Sequence, residues 1–241
     1  MNYYAGIDLG GTFVKGGIVD EEGNILVKDK IPTGKERPYA EIAADMAQLV
    51  LDLAKKAGIS PADVKAAGVG SPGTIDSKNG IIVYSNNIRW EKVPLGAELK
   101  KHLGIPVFAT NDANAAALGE SFAGAAKSYP SSVFITLGTG VGGGIIIDNV
   151  LFEGNRSAGA EIGHMVIRMG GEKCTCGRKG CFEAYASATA LIRQTRNAMA
   201  KDKTSKLWEI CTQLEDVNGK TAFDGMRAGD KTAEKEKKNY I

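Results

Sequence analysis

The stretch YYAGIDLGGTFVKGGIVD at residues 3–20 has a second version at residues 131–148, SSVFITLGTGVGGGIIID. Each version is an apolar run, a glycine-rich turn and a second apolar run, which is the pattern of a β-hairpin. When the two are aligned, the matching pairs are Ile7 with Ile135, Gly10 with Gly138, Gly16 with Gly144, Ile18 with Ile146 and Asp20 with Asp148. This internal repeat predicts a duplicated α/β fold of two similar lobes with a cleft between them, at residues 1–112 and 113–241.

The first copy is followed by further strand and helix patterns. Apolar residues recur at helical spacing over residues 39–57, and residues 64–70 and 105–110 have the composition of buried strands. A helix is predicted over 93–104, and an alanine-rich helix begins at Asn111-Asp112. The second copy is followed only by helical patterns, clearest over 184–201. We therefore expect the second lobe to be incomplete because the chain is truncated. A natural short variant with a frayed helical tail is the alternative.

The composition is that of a soluble globular protein, with 43% hydrophobic and 24% charged residues in 241. Thirty basic and 28 acidic residues leave a net charge of +2, which argues against a protein dedicated to nucleic acid. No apolar run approaches the roughly 18–20 residues of a membrane helix. Asp8 interrupts the apolar start of the chain, so no secretory signal is visible. We expect a cytoplasmic protein without a membrane partner.

The turn of the first hairpin has the residues of a phosphate site. Two adjacent glycines allow backbone N–H groups to approach a phosphate, because no Cβ stands in the way. Asp8 could hold a hydrated Mg²⁺, and Lys15 brings a positive charge. A purely structural β-turn is the alternative. The recurrence of the turn at Gly138, Thr139, Gly140 and Gly142 favours two turns that hold a polyphosphate between them.

The tetrad Asn111-Asp112-Ala113-Asn114 lies where a strand passes into a helix. Asp112 has two interpretations. As an N-cap it would stabilise the helix by about 1 kcal/mol. As a general base at the end of the strand it would accept a proton from a sugar hydroxyl. From the tetrad alone, the N-cap is the simpler interpretation.

The third group of interest is a cysteine-rich loop. His164, Cys174, Cys176 and Cys181 supply the three thiols and one imidazole of a closed tetrahedral zinc site, which would be structural. Reduced, accessible cysteines or a redox pair are the alternative. We expect the remaining histidine, His102, to be an exposed surface residue and Cys211 to be a small packing residue.

The motifs DLGGTFVK (8–15), GSPGTID (70–76), NDANAAALGE (111–120), LGTGVGGG (137–144), AEIGH (160–164) and CTCGRKGCFEAYAS (174–187) follow one another along the chain. In this combination and order, the chain resembles the ROK family of bacterial sugar kinases and repressors, and most of all its ATP-dependent glucokinases. The resemblance implies the actin-like, ribonuclease H-like ATPase fold, which agrees with the internal repeat. It also implies a small-molecule hexose and ATP as substrates, Mg²⁺, structural Zn²⁺ and a homodimer.

The resemblance also implies roles for individual residues. Asp112 would be the catalytic base. The phosphate and ATP contacts would be Asp8, Gly10, Gly11, Thr12, Lys15, Gly138, Thr139, Gly140 and Gly142. The sugar contacts would be Gly73, Asn87, Asn111, Asp112, Glu161, His164 and Glu183. The zinc ligands would be His164, Cys174, Cys176 and Cys181. His164 would then use one ring nitrogen for zinc and the other for the sugar, so that the metal orients the sugar site.

The expected reaction is transfer of a phosphoryl group from ATP to the 6-hydroxyl of glucose. Mannose, fructose and N-acetylated hexosamines remain open as acceptors, and polyphosphate remains open as a donor. A sugar-sensing regulator is a second hypothesis. Only seven residues precede Asp8, too few for the DNA-binding region of a ROK repressor. A chaperone-like or actin-like ATPase is a third hypothesis, which leaves the zinc loop unexplained.

Overall fold

A computed structural model describes residues 1–240 of the chain. It divides into two compact units, Met1–Phe134 with Gly144–Ala160, and Ile135–Gly143 with Glu161–Ile241. These bounds differ from the lobes at 1–112 and 113–241, which follow the internal repeat and stay a prediction.

The strands are β1 (Tyr3–Leu9), β2 (Phe13–Asp20), β3 (Ile25–Pro32), β4 (Val64–Ser71), β5 (Thr74–Asp76), β6 (Ile81–Ser85), β7 (Trp90–Val93), β8 (Val107–Asn111), β9 (Ser132–Leu137), β10 (Val141–Ile147) and β11 (Val150–Leu151). The helices are α1 (Tyr39–Lys56), α2 (Leu95–Leu103), α3 (Asp112–Ala123), α4 (Glu183–Ala186), α5 (Ala188–Lys201), α6 (Leu207–Ile210), α7 (Thr221–Arg227) and α8 (Lys231–Tyr240). None of the helices within residues 1–240 has the length and apolar character needed to cross a membrane.

The first unit is built on a five-stranded sheet in the order β3-β2-β1-β4-β8. β1 pairs with β2 in the antiparallel sense, and β4 lies parallel to both β1 and β8. The apolar residues of β1 alternate, so that Ala5, Ile7 and Leu9 are buried. The carboxyl ends of three parallel strands therefore lie at one edge of the sheet, where Asp8 aligns with Gly70 and Gly70 with Thr110.

Helix α1 carries the apolar stripe that the sequence predicts. Its buried residues include Ile42, Met46, Leu49, Val50 and Leu53, and they belong to the hydrophobic core of the first unit. The helix ends at Lys56, Ala57 is its C-cap, and Gly58 follows with a φ of +70°. Gly104 ends α2 in the same left-handed way.

The second hairpin is confirmed as β9 and β10, and β11 joins it in the order β11-β10-β9. This order repeats β3-β2-β1 of the first sheet. Within the described part of the chain, no strand follows β11, and the segments beyond residue 182 are helical. The helix predicted over 184–201 is interrupted at Ser187, whose hydroxyl oxygen caps α5 by accepting a hydrogen bond from the N–H of Ala190 at 3.0 Å. The sheet β5-β6-β7 was absent from the sequence prediction.

The two glycines that match in the repeat each allow a helix to approach a strand. A Cβ at Gly16 would lie 2.9 Å from side-chain atoms of Leu49 and Leu53 in α1. A Cβ at Gly144 would overlap Ala117 and lie 2.9 Å from the carbonyl oxygen of Ala113 in α3. The carbonyl oxygen of Ala113 belongs to the backbone of α3, so it cannot move away from a Cβ at Gly144 unless the helix moves.

Substitution of Gly144 by alanine is therefore expected to destabilise the protein by about 1–3 kcal/mol, the usual cost of overpacking. Thermal and urea denaturation measure the change. Gly6→Ala is the matched control, because a Cβ at Gly6 meets no atom within 4 Å. Equal stability of the two variants would contradict the close packing of α3 on β10.

Candidate active site

The first glycine turn is held in place by a threonine that sequence reasoning missed. The N–H of Gly10 donates to the carbonyl of Phe13 at 3.0 Å, which closes the turn. Thr33 donates its hydroxyl to the carbonyl of Gly10 at 2.7 Å and its N–H to the carbonyl of Thr12 at 2.9 Å. Thr33 is fully buried, so these bonds are shielded from water. No pattern in the sequence links it to a turn more than twenty residues earlier.

Asp8 and Lys15 form a cross-strand ion pair beside the turn. The two residues are register partners on β1 and β2, and Nζ lies 2.9 Å from Oδ2. The carboxylate raises the pKa of Lys15 through the hydrogen bond and its charge. Both side chains are solvent-exposed, so they remain accessible to a charged ligand. The contribution of an exposed pair to stability is small.

Asn87, Gly73 and Asn111 lie close to the same sheet edge. A Cβ at Gly11 would lie 3.3 Å from the carbonyl oxygen of Asn87. Gly73 has a φ of +108°, and a Cβ there would overlap the carbonyl of Tyr84, so this position requires glycine. Asn111 donates its side-chain amide to the carbonyl of Gly73 at 3.1 Å. The loop after β4 is thereby tied to the end of β8.

Asn111, and not Asp112, caps helix α3. Its side-chain oxygen accepts from the N–H groups of Ala113 at 2.9 Å and Asn114 at 3.4 Å. The N-cap interpretation of Asp112 was wrong by one residue, because both types cap helices and the sequence does not show which one leaves the strand. Asp112 is the first residue of the helix.

Asp112 is exposed at the surface, yet its environment disfavours the charged form. Partial burial by neighbouring groups raises the pKa of the carboxyl, and the negative charge of Asp8 raises it further. Hydrogen bonds from the backbone of Ala113 and the side chain of Asn111 act in the opposite direction. A carboxylate with a raised pKa is a better proton acceptor than an ordinary aspartate.

A further carboxylate of the first unit, Glu153, contacts the end of β8. It accepts hydrogen bonds from the hydroxyls of Ser77 at 2.6 Å and Thr110 at 3.2 Å. Thr110 directly precedes Asn111, so Glu153 braces the end of β8. A single glutamate in a loop carries no sequence signal of such a contact.

The second unit contains the second glycine turn. The N–H of Gly138 donates to the carbonyl of Gly140 at 3.0 Å. Ala188 donates its N–H to the carbonyl of Gly138 at 2.8 Å, and the hydroxyl of Thr189 donates to the carbonyl of Thr139 at 2.8 Å. The start of α5 therefore fixes the turn from one side.

Glu183 and the segment Glu161–His164 pack against the residues that follow this turn. Glu183 accepts the N–H of Val141 at 3.0 Å, and a Cβ at Gly140 would overlap its carboxylate. A Cβ at Gly163 would overlap the carbonyl of Val141, so the short helix Ile162–His164 lies directly on β10. Glu161, His164 and Glu183 are thus gathered around one turn.

The four predicted zinc ligands come together in the second unit. Their ligand atoms all lie within 4.8 Å of one another. Cys176 and Cys181 are 3.7 Å apart at sulfur, and Nδ1 of His164 is 3.6 Å from the sulfur of Cys174. A tetrahedral zinc ion with usual bond lengths separates its ligand atoms by about 3.5–3.8 Å. The donor set and spacing therefore fit Zn²⁺.

The thiols of this cluster differ in acidity. The backbone N–H of Arg178 lowers the pKa of Cys176 to about 6, whereas burial raises the pKa of Cys181 to about 11. Cys176 is exposed and Cys181 buried, which agrees with these directions. Among residues 1–240 the other cysteine, Cys211, packs in a separate apolar cluster, as the sequence predicts.

Residues 4–240 match the ROK family. The chain belongs to this family. It is 40% identical to a glucokinase of Thermotoga maritima over 229 residues, which cover 95% of this chain and 71% of that protein. It is also 35% identical to a xylose repressor of Bacillus spizizenii, over 93% of this chain and 58% of the repressor.

Solved structures confirm the actin-like ATPase fold of the ROK chain. A ROK glucokinase from Streptomyces griseus, in complex with glucose and AMPPNP, superposes with a TM-score of 0.80 at 34% identity. The match covers 99% of this chain and 75% of that one. The ROK relatives thus include both enzymes and repressors.

The predicted site residues form two groups, one in each compact unit. The first unit holds Asp8, Gly10, Gly11, Thr12, Lys15, Gly73, Asn87, Asn111 and Asp112. The second holds Gly138, Thr139, Gly140, Gly142, Glu161, His164, Glu183 and the three cysteines.

We expect protein purified without chelators to contain one zinc ion per chain by elemental analysis. Cys181→Ser should lose the ion and much thermal stability, since structural zinc sites in small peptides contribute about 10–16 kcal/mol of binding free energy. Cys211→Ser is the control with an equally buried cysteine outside the cluster and should keep its zinc. Zinc-free wild-type protein, or full zinc in Cys181→Ser, would contradict the site.

Proposed function

We propose that this ROK protein is an ATP-dependent hexose kinase whose acceptor is the 6-hydroxyl of glucose. The observation that carries the proposal is the edge of the first sheet, where the glycine turn, the Gly73–Asn111 link and Asp112 follow the carboxyl ends of the neighbouring parallel strands β1, β4 and β8. Identity of 40% with a glucokinase supports the same activity.

Asp112 acts as the general base. Its carboxylate accepts the proton of the 6-hydroxyl while that oxygen attacks the γ-phosphorus, the bond to the bridging oxygen of ATP breaks, and ADP leaves. The raised pKa makes the proton transfer more favourable than it would be to an ordinary aspartate. Oδ1 of Asp112 accepts the N–H of Ala113 at 2.9 Å, a bond that it shares with Asn111, so the cap of α3 does not depend on Asp112 alone.

The two glycine turns hold the phosphates of ATP. Backbone N–H groups at Gly10, Gly11 and Thr12 in the first turn, and at Gly138, Thr139, Gly140 and Gly142 in the second turn, donate to phosphate oxygens. Lys15 adds a positive charge, which the pair with Asp8 keeps beside the turn. Asp8 offers an exposed carboxylate, the oxygen ligand that Mg²⁺ prefers. The ion, when bound, neutralises negative charge on the phosphates.

The sugar contacts come from Gly73, Asn87, Asn111 and Asp112 in the first unit and from Glu161, His164 and Glu183 in the second. His164 presents Nδ1 to the sulfur of Cys174, which leaves Nε2 as the nitrogen for a sugar hydroxyl. Zinc held by His164, Cys174, Cys176 and Cys181 fixes the ring orientation and tautomer.

Asp112→Asn is expected to lower kcat by about 10²–10⁴, the usual contribution of a positioned general base, with little change in sugar affinity. A coupled assay for ADP release and calorimetry of sugar binding measure the two effects. Asp52→Asn, an exposed aspartate on α1, is the control and should retain full turnover. Near-normal kcat in Asp112→Asn would refute the role of base.

The same substitution should make the protein more stable at neutral pH. Because the folded-state pKa of Asp112 is raised above the value of about 3.9 in unfolded chains, its ionised form opposes folding. The advantage of Asp112→Asn in melting temperature should be largest near pH 7 and shrink as the pH falls through the raised pKa. Melting curves of the two proteins between pH 7 and pH 4 test this, and an advantage that grows towards acid would contradict it.

The similarity to xylose repressors supports a second candidate, a sugar-responsive regulator without kinase activity. A panel of glucose, mannose, fructose and N-acetylated hexosamines, each with ATP or polyphosphate, separates the candidates and identifies acceptor and donor. ADP release that depends on a hexose supports the kinase. Sugar binding without ADP release supports the regulator. We further propose a cytoplasmic homodimer that binds no nucleic acid, and sedimentation tests the dimer.

A further inference from the structure

Glu183 connects two parts of the second unit that belong to separate sequence motifs, the second glycine turn and the cysteine loop. One carboxylate oxygen, Oε2, accepts the N–H of Val141 at 3.0 Å, directly after the second glycine turn. The other, Oε1, accepts the hydroxyl of Thr175 at 3.2 Å. Thr175 lies between Cys174 and Cys176 in the cysteine loop. The carboxylate is therefore a cross-link between turn and loop.

The turn has little freedom to move independently of this cross-link. The carboxylate of Glu183 occupies the space that a Cβ at Gly140 would need. The carbonyls of Gly138 and Thr139 accept hydrogen bonds from Ala188 and Thr189. All of these groups belong to residues 183–189, which begin two residues after Cys181. The cysteine loop and the turn thus share one support.

We infer that Glu183 is a positioning residue that couples zinc in the cysteine loop to nucleotide at the second glycine turn. This rests on the proposed function, in which the turn holds phosphates of ATP. Cys174 and Cys176, the two neighbours of Thr175, would hold the zinc. Oε1 of Glu183 accepts the Thr175 hydroxyl and lies 3.7 Å from the sulfur of Cys174, and Oε2 accepts the N–H of Val141. Binding equilibria are reciprocal, so zinc and nucleotide each strengthen the binding of the other.

This role is compatible with a sugar contact at the same side chain. Each carboxylate oxygen has two lone pairs and can accept a second hydrogen bond. The two roles make different predictions, because the link through Thr175 affects nucleotide and metal, whereas a sugar contact affects sugar affinity.

Thr175→Val tests the link, because it removes one hydroxyl and leaves all four zinc ligands in place. Thr189→Val is the matched control: it removes a hydroxyl bond to the same turn, outside the path through Glu183. Transfer of zinc to a chromogenic chelator is measured with and without ADP. In wild-type protein ADP should slow the transfer about threefold to tenfold, the worth of one hydrogen bond. The slowing should fall below about twofold in Thr175→Val and persist in Thr189→Val.

A second measurement uses the zinc-loaded protein without turnover. Amide hydrogen exchange at Val141 should be about threefold to tenfold faster in Thr175→Val than in wild type, and unchanged in Thr189→Val. Sugar affinity should be the same in all three proteins. Loss of sugar affinity in Thr175→Val, or Val141 exchange equal to that of wild type, would overturn the inference.

The outcomes also separate this inference from the proposed function. If ADP protects the turn amides of wild type but slows zinc transfer equally in Thr175→Val, the kinase proposal survives and the coupling is wrong. If ADP protects no turn amide in wild type, the phosphate role of the turn fails, and so does the coupling to nucleotide. The exchange rate at Val141 then still shows whether Glu183 joins the loop to the turn.

Discussion

Parallel pairing of β1, β4 and β8 is the constraint on which the candidate site residues of the first unit depend. Because parallel strands point the same way, the residues that leave their carboxyl ends meet at one sheet edge. Asp8 aligns with Gly70, and Ser71 aligns with Asn111. A Cβ at Gly70 would lie 3.5 Å from the Cα of Asp112, so even the spacing between strand and helix is set here. A shift of one residue in this register would separate the first glycine turn from the aspartate.

Glycines in this chain serve close packing as well as the proposed contacts with phosphate. Gly16 and Gly144 repeat because each lies beneath a helix that covers the second strand of its hairpin. Gly140 does not lie beneath a helix in this way. The carboxylate of Glu183 occupies the space that a Cβ at Gly140 would need. The repeated glycines therefore reflect packing, and only some of them are candidates for the proposed phosphate contacts. A glycine-rich motif by itself does not distinguish the two.

Features encoded over short distances could be predicted from the sequence. The stripe of α1, the two hairpins and the zinc cluster follow from periodicity or from spacing within about twenty residues. Contacts between residues that are distant in sequence could not be predicted, because they leave no periodic signal. Thr33 holds the turn at Gly10, and Glu153 reaches Ser77 across 76 positions. The cap of α3 was assigned one residue too late, because Asn111 and Asp112 compete for it with similar chemistry.

The cysteine-rich segment of the second unit has little apolar packing of its own. Met165, Val166, Ile167 and Met169 have exposed fractions of 55, 51, 55 and 96%, so apolar burial contributes little between the short helix Ile162–His164 and Cys181. The apolar cluster of this unit instead joins the later helices, around Met199 and Leu207. A segment with so little buried surface cannot offset the entropy of its own ordering. The hydrogen bonds of Glu183 to Val141 and Thr175 contribute to that ordering, and the proposed zinc would contribute further by joining its four ligands.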